Sequence, residues 1–251
     1  MIFYYSKSRS SEIAQKLLKD YHGILITDGY AGYNILDSEL THAECWAHAR
    51  RYFYESVPLD ANKKMITSSD GYTGVKYIDE LFKIEKEIDK LNADEKLKVR
   101  KEKSEPILKN FYEWVYLTSE KYITNKKLKD ALTYVTNQKE NLSKFLTNGR
   151  IPLTNSRAER AIRPFAVHRK NWLFADTVDG AKANARMYTL IESAKVNNLN
   201  INKYIKYLLD ILPQLEGEHT EEEIEKYLPW SDSLPEDVIN SQGTYNDLVI
   251  G

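Results

Sequence analysis

The chain has 251 residues, 36 of them Lys or Arg and 37 Asp or Glu, for a formal charge of −1 at neutral pH. That balance excludes a histone-like polycation, and the single cysteine, Cys45, excludes an internal disulfide and any Cys-rich zinc module. No apolar run approaches the ~20 residues of a bilayer-spanning helix, and Met1 to Arg9 lacks the apolar stretch of a secretory leader, so the expectation is a cytoplasmic protein with no membrane partner.

Ile2 to Tyr5 is short, β-branched and aromatic, which predicts a strand. Ser10 and Ser11 can cap a helix whose apolar face is Ile13, Leu17 and Leu18, and Gly23 closes it. Gly23 to Thr27 is a second, almost continuously apolar strand running into Asp28-Gly29. Strand, helix and strand in that order predict a right-handed crossover in an α/β sheet. A short helix over Ala31 to Leu36, a strand over Thr41 to Trp46 and a helix through His48, Arg50 and Arg51 follow.

From Lys76 to Leu146 the pattern becomes helical and highly charged. Ile78, Leu81, Ile84, Ile88 and Leu91 recur at three- and four-residue spacing. Asn92-Ala93-Asp94 predicts a turn, and a second helix returns through Leu97 and Leu108 to Trp114, disturbed near Pro106. A third runs from about Lys126 to Leu146. Such an insertion is either a spacer packed on itself or an arm for DNA or a partner. Beyond it, Thr154 or Asn155 caps a helix, Lys170 to Phe174 suggests a strand or hairpin edge, and Ala181 to Lys195 and Ile201 to Leu212 are amphipathic helices. Glu216 to Glu225 is acidic, and the chain from Ser231 onward is expected to be loosely held. The implied division is 1–74 for the first part of an α/β core, 75–147 for the insertion, 148–215 for the second part and 216–251 for a tail.

Two acidic residues stand out. Asp28 closes an apolar strand, the usual edge for a ligand in an α/β sheet, although it can equally cap the helix behind it. Glu159 is the lone carboxylate in TNSRAERAIRPFAVHRKNW, among Arg157, Arg160, Arg163, Arg169 and Lys170. It either pairs with those cations or holds a divalent metal beside a bound polyanion. Two carboxylates of this kind can share metals, and in phosphoryl transfer a metal pair clamps the attacking and leaving oxygens. His42, Cys45 and His48 have a spacing that invites a zinc reading, but a fourth ligand is missing. A packed or DNA-facing His48 and a buried, inert Cys45 are the simpler expectation.

TDGYAGYN from Thr27, CWAHARR from Cys45, AERAIRPFAV from Ala158, RKNWLFA from Arg169 and LPW at Leu228 to Trp230 together resemble transposases of the insertion sequence 66 family. The resemblance implies a bacterial, nucleoid-associated DDE transposase with an RNase H-like core interrupted by a helical insertion, and Mg²⁺ or Mn²⁺ as cofactor. It implies that Asp28 is the second and Glu159 the third acidic residue of the triad, both as metal ligands. Departures are mild near the site. Asn155 is followed by Ser156 where the family has a second asparagine, and His168 and Asp176 stand where it commonly has glycines.

The larger departure is that the family's first catalytic Asp has no counterpart, because no acidic residue precedes Glu12. The expectation is a core lacking its first strands, with an apolar strand edge left to associate, and strand transfer strongly impaired in this chain alone. DNA, as transposon ends and target, is the expected partner, met by Arg50, Arg51, Arg160, Arg163, Arg169 and Lys170 at phosphates. Trp172 either stacks on an unpaired base or packs in a hairpin. Full-length transposase or a second copy is a further candidate partner. The competing function is a non-catalytic DNA-binding remnant or regulatory fragment.

Overall fold

Ile24–Thr27 and Thr41–Glu44 form strands β1 and β2, which pair in parallel with Ile24 opposite Thr41 and Thr27 opposite Glu44. The computed structural model of the chain describes residues 2–8, 10–30, 32–33, 40–168, 175, 177–215, 217 and 219–239. Two compact units divide it: Ser8–Glu159, and Met1–Lys7 with Arg160–Gly251. Among the described residues the only sheet is the β1–β2 pair, so the fold is mostly helical rather than the broader α/β sheet expected. No described helix is long and apolar enough to cross a membrane.

The predicted strand over Ile2 to Tyr5 does not form. A strand needs a partner, and this segment turns to a helix instead. The Phe3 amide donates to Thr189 Oγ1 at 2.9 Å and its ring lies 5.9 Å from that of Tyr188. The expected crossover therefore has no first strand. Helix α1, Ser11–Leu18, does form, but Ser10 makes no side-chain cap and none of its residues is buried. Of the expected helix over Ala31 to Leu36, the described part is a tight turn in which the Tyr33 amide donates to the Tyr30 carbonyl. The rest lies outside the described residues.

In the first unit, α2 (Trp46–Ser56) buries Trp46, Ala49 and Phe53 at helical spacing. These pack into one core with α3 (Asp70–Glu87), α5 (Glu105–Ser119) and α6 (Lys126–Asn137), through Ile78, Leu81, Phe111 and Leu132. Phe111 is its centre, with its ring 5.7 Å from Trp46 and 5.9 Å from Phe53. The helices after α2 are thus not a spacer packed only on themselves. They share a core with β2 through Ala43 and with the chain after them through Ile151 and Leu153.

Asn92 is not merely a turn residue. Its side chain caps α4 (Ala93–Val99), and Glu95 returns the bond to complete a capping box. The expected disturbance near Pro106 is a π-helical turn over Arg100–Ser104. Proline has no N–H to give and its ring crowds the carbonyl four residues back, which the wider turn accommodates. That turn also brings in Arg100, whose Nε and Nη2 each donate to Glu85 at 2.7 Å while Nη1 donates to the carbonyl of Phe145 at 2.9 Å. The expected third helix is broken into α6, a short α7 (Lys139–Ser143) and a tighter turn over Lys144–Leu146.

The second unit has its own core of Ala194, Leu199, Tyr204, Leu208, Leu234 and Val238. It contains α9 (Val178–Val196), capped by Thr177, α10 (Ile201–Ile211), capped by Asn200, and the short α11 (Glu221–Glu225). Here the expectation of a loosely held tail is corrected as far as residue 239. Leu234 and Val238 are buried, and the Asn200 amide donates to the Val238 carbonyl at 2.8 Å. Apolar side chains at those two positions are enough to seat the segment in the core.

Candidate active site at the end of the parallel strands

Because Thr27 is level with Glu44, Asp28 is level with Cys45, and the Cys45 amide donates to the Thr27 carbonyl at 3.1 Å. Both strands end here. Asp28 is exposed, and its Oδ1 accepts the Tyr30 amide at 3.3 Å, so part of the helix-capping alternative is realised as a local turn. The next residue, Gly29, has φ of 77°, and a side chain there would collide with Tyr134 and with the Glu44 carboxylate. Glycine meets both demands at once.

Beneath that turn lies a buried polar layer. His42 Nε2 is 2.7 Å from Thr27 Oγ1, His42 Nδ1 is 3.3 Å from Asn141 Nδ2, and the Tyr134 hydroxyl donates to Glu44 Oε2 at 3.2 Å. Burial, reinforced by the charge of Glu44, pushes the Tyr134 phenol well above its ordinary range. Sequence reasoning passed over Glu44. Its signal was an alternation in THAE that puts His42 and Glu44 on the same face of a strand, opposite Ala43.

From Cys45 the chain enters α2, and two bonds tie this point to the distant segment before α8 (Ser156–His168). The Trp46 amide donates to the Leu153 carbonyl at 2.9 Å, and the Asn155 amide donates to Cys45 Sγ at 3.4 Å. Burial pushes the Cys45 thiol up, while the amides of Asn155, His48 and Ala47 pull against it. The cysteine is therefore buried and held protonated, as expected for an inert residue. Asn155 opens α8, its carbonyl accepting the amides of Ala158 (2.9 Å) and Glu159 (3.2 Å). Thr154 and Ser156 bond to each other through their hydroxyls.

Glu159 is thus one turn into α8, with a side chain 51% exposed, and its Oε1 lies 3.3 Å from Nε2 of His48 on α2. Within its unit the close side-chain partner of Glu159 is this imidazole. The structure brings Asp28, Cys45, His48, Asn155 and Glu159 to one end of the strand pair. It separates His42, which faces Thr27 and Asn141, so the three residues weighed for zinc point to different neighbours. Among the described residues no group of three or more His, Cys, Asp or Glu could hold a metal ion. Asp28 and Glu159 nevertheless offer exposed carboxylate oxygens, the donor type that magnesium and manganese take.

Of the basic residues expected at DNA, Arg50 forms a two-bond pair with Asp79, at 2.6 and 3.1 Å, and its guanidinium lies over the Tyr54 ring. Arg51 is exposed on α2, and Arg160 and Arg163 are exposed on α8. Arg169, Lys170, Trp172 and the expected edge over Lys170 to Phe174 lie outside the described residues.

The sequence profile of the family described as "Transposase IS66 family" matches residues 1–183. The chain belongs to the IS66 transposase family. Three uncharacterized proteins of Sinorhizobium fredii are similar to it: y4hP is 35% identical over 243 residues, y4qI 30% over 236 and y4jD 29% over 238. Each comparison covers 90 or 91% of this chain and 42 to 45% of the relative, so the chain spans less than half the length of the curated relatives it matches. No solved structure matches it.

Proposed function

We propose that this chain is the part of an RNase H-like DDE catalytic domain that carries the second and third acidic residues, Asp28 and Glu159, for metal-dependent DNA cleavage and strand transfer. The observation that carries the reading is the pair of bonds from Trp46 to Leu153 and from Asn155 to Cys45. They bring a helix from beyond a hundred-residue excursion back to the strand end where Asp28 sits. A divalent ion held by these carboxylates, Mg²⁺ or Mn²⁺, would supply charge stabilisation at the phosphoryl oxygens. Arg51, Arg160 and Arg163, with Arg169 and Lys170, would meet DNA phosphates, while Arg50 would first have to leave Asp79. Trp172 would stack on a base. Two carboxylates rather than three make strand transfer by these 251 residues alone strongly impaired.

The second reading is a DNA-binding or regulatory module without catalysis, for which exposed arginines such as Arg51, Arg160 and Arg163 would suffice. The test incubates the purified chain with DNA bearing the element's own ends in Mg²⁺ or Mn²⁺, alongside Asp28→Ala and Glu159→Ala. Weak Mn²⁺-supported nicking, lost in both variants, is the expected result. Robust Mg²⁺-dependent strand transfer would overturn the impairment. Salt-sensitive DNA binding with no metal dependence, indifferent to both substitutions, would favour the binding module.

A further inference from the structure

The stretch Cys45-Trp46-Ala47-His48 lies across from the start of α8, and its two polar side chains, three residues apart, face the same way. Cys45 receives the amide of Asn155 at 3.4 Å, and one turn further along each helix His48 Nε2 meets Glu159 Oε1 at 3.3 Å. The His48 side chain is only 12% exposed and its backbone is held by a bond to the Cys45 carbonyl at 3.2 Å. Glu159 is the opposite: a long, half-exposed side chain with several rotatable bonds. A rigid group thus touches a mobile one at the atom that matters.

We propose that His48 is a positioning residue for Glu159. It restricts the carboxylate to the rotamer that faces the strand end, and Cys45 sets the register that makes the contact possible. The inference rests on the reading of Glu159 as a metal ligand. The contact with Glu159 is made by Nε2 alone, which leaves Nδ1 to find another partner. Among the described residues that Nδ1 is indeed buried without a hydrogen-bond partner, and so is Asn155 Oδ1 in the segment opposite. Buried polar atoms left unpaired are costly, and a purely structural histidine would be expected to satisfy both nitrogens. Partners that orient metal-binding carboxylates typically change metal affinity by about 10–100-fold when removed, and the exposure of Glu159 puts this case near or below the lower bound.

The test measures Mn²⁺ binding to the 251-residue chain by electron paramagnetic resonance, with no DNA or turnover involved. It compares Asp28→Ala, Glu159→Ala, His48→Ala and His48→Gln, with the unfolding midpoint of each. Loss of binding in the two carboxylate variants and a drop of about threefold to tenfold in His48→Ala are expected. The glutamine, whose amide N–H can replace the imidazole donor, should restore binding to within about twofold. A weakened Glu159→Ala with an unchanged His48→Ala overturns the positioning role while leaving the ligand reading intact. An unchanged Glu159→Ala overturns the ligand reading itself, and the proposal with it. Should His48→Ala not fold, the ¹⁵N resonances of the His48 ring decide: no change between wild type and Glu159→Gln overturns the proposal.

Discussion

Two side-chain pairs in the first unit are built in opposite ways. Glu85 and Arg100 are locked by two bonds at 2.7 Å, with the guanidinium also held by the carbonyls of Phe145 and Asn148 and its side chain only 1% exposed. His48 and Glu159 share one contact at 3.3 Å, with the carboxylate half in solvent and the other ring nitrogen unpaired. The first pair uses its hydrogen-bonding capacity on the fold itself. The second leaves hydrogen-bonding capacity unused.

That contrast can be broken by substitution. The largest effect is expected from Arg100→Ala, which strands the Glu85 carboxylate and two main-chain carbonyls. Urea unfolding followed by the fluorescence of Trp46 and Trp114 should show a loss of about 3–5 kcal/mol. A loss below about 1 kcal/mol would place this pair with ordinary surface pairs and erase the difference. A middle effect is expected at Tyr134→Phe, where Glu44 loses a buried donor, for about 1–3 kcal/mol at neutral pH. The folded-state phenol is raised above its ordinary value of 10.0, so its contribution is complete below that pH and fades as pH rises beyond it. The gap between wild type and variant should therefore shrink at alkaline pH, and a gap that widens there would contradict the assignment of burial and Glu44 as the causes. The smallest stability effect belongs to the candidate ligands. Asp28→Ala and Glu159→Ala, both at exposed positions, should each shift unfolding by no more than about 0.5 kcal/mol. A penalty as large as that of Arg100 would mark them as structural.

Much of the site was legible in the residues, because its chemistry is local. A carboxylate ending an apolar strand and a lone carboxylate in a basic helix are features of a few residues each. The folded chain adds the tie between their two segments, a cysteine sulfur accepting an amide 110 residues away. The fold was legible where periodicity is strong: β1, β2, α9 and α10 lie within a few residues of their expected spans, and α2 runs through the residues expected of it. It was misread where an element depends on its neighbours. Ile2 to Tyr5 has the composition of a strand but no strand to pair with, so it bonds to Thr189. The 231–239 segment has the composition of a tail, yet Leu234 and Val238 find a core to enter.

By itself the sequence determined the family and the helical character of the stretch from Lys76 to Leu146, since these follow from residue type, order and spacing. Only the tertiary structure decided that the helices after α2 share their core with β2 and α2, that His42, Cys45 and His48 face three different partners, and that His48 rather than an arginine meets Glu159 within its unit. The physical reason is the range of the forces involved. Propensity and pattern act over a turn or two of chain, whereas burial and hydrogen bonding are settled by whichever groups the fold brings within about 3 Å of one another.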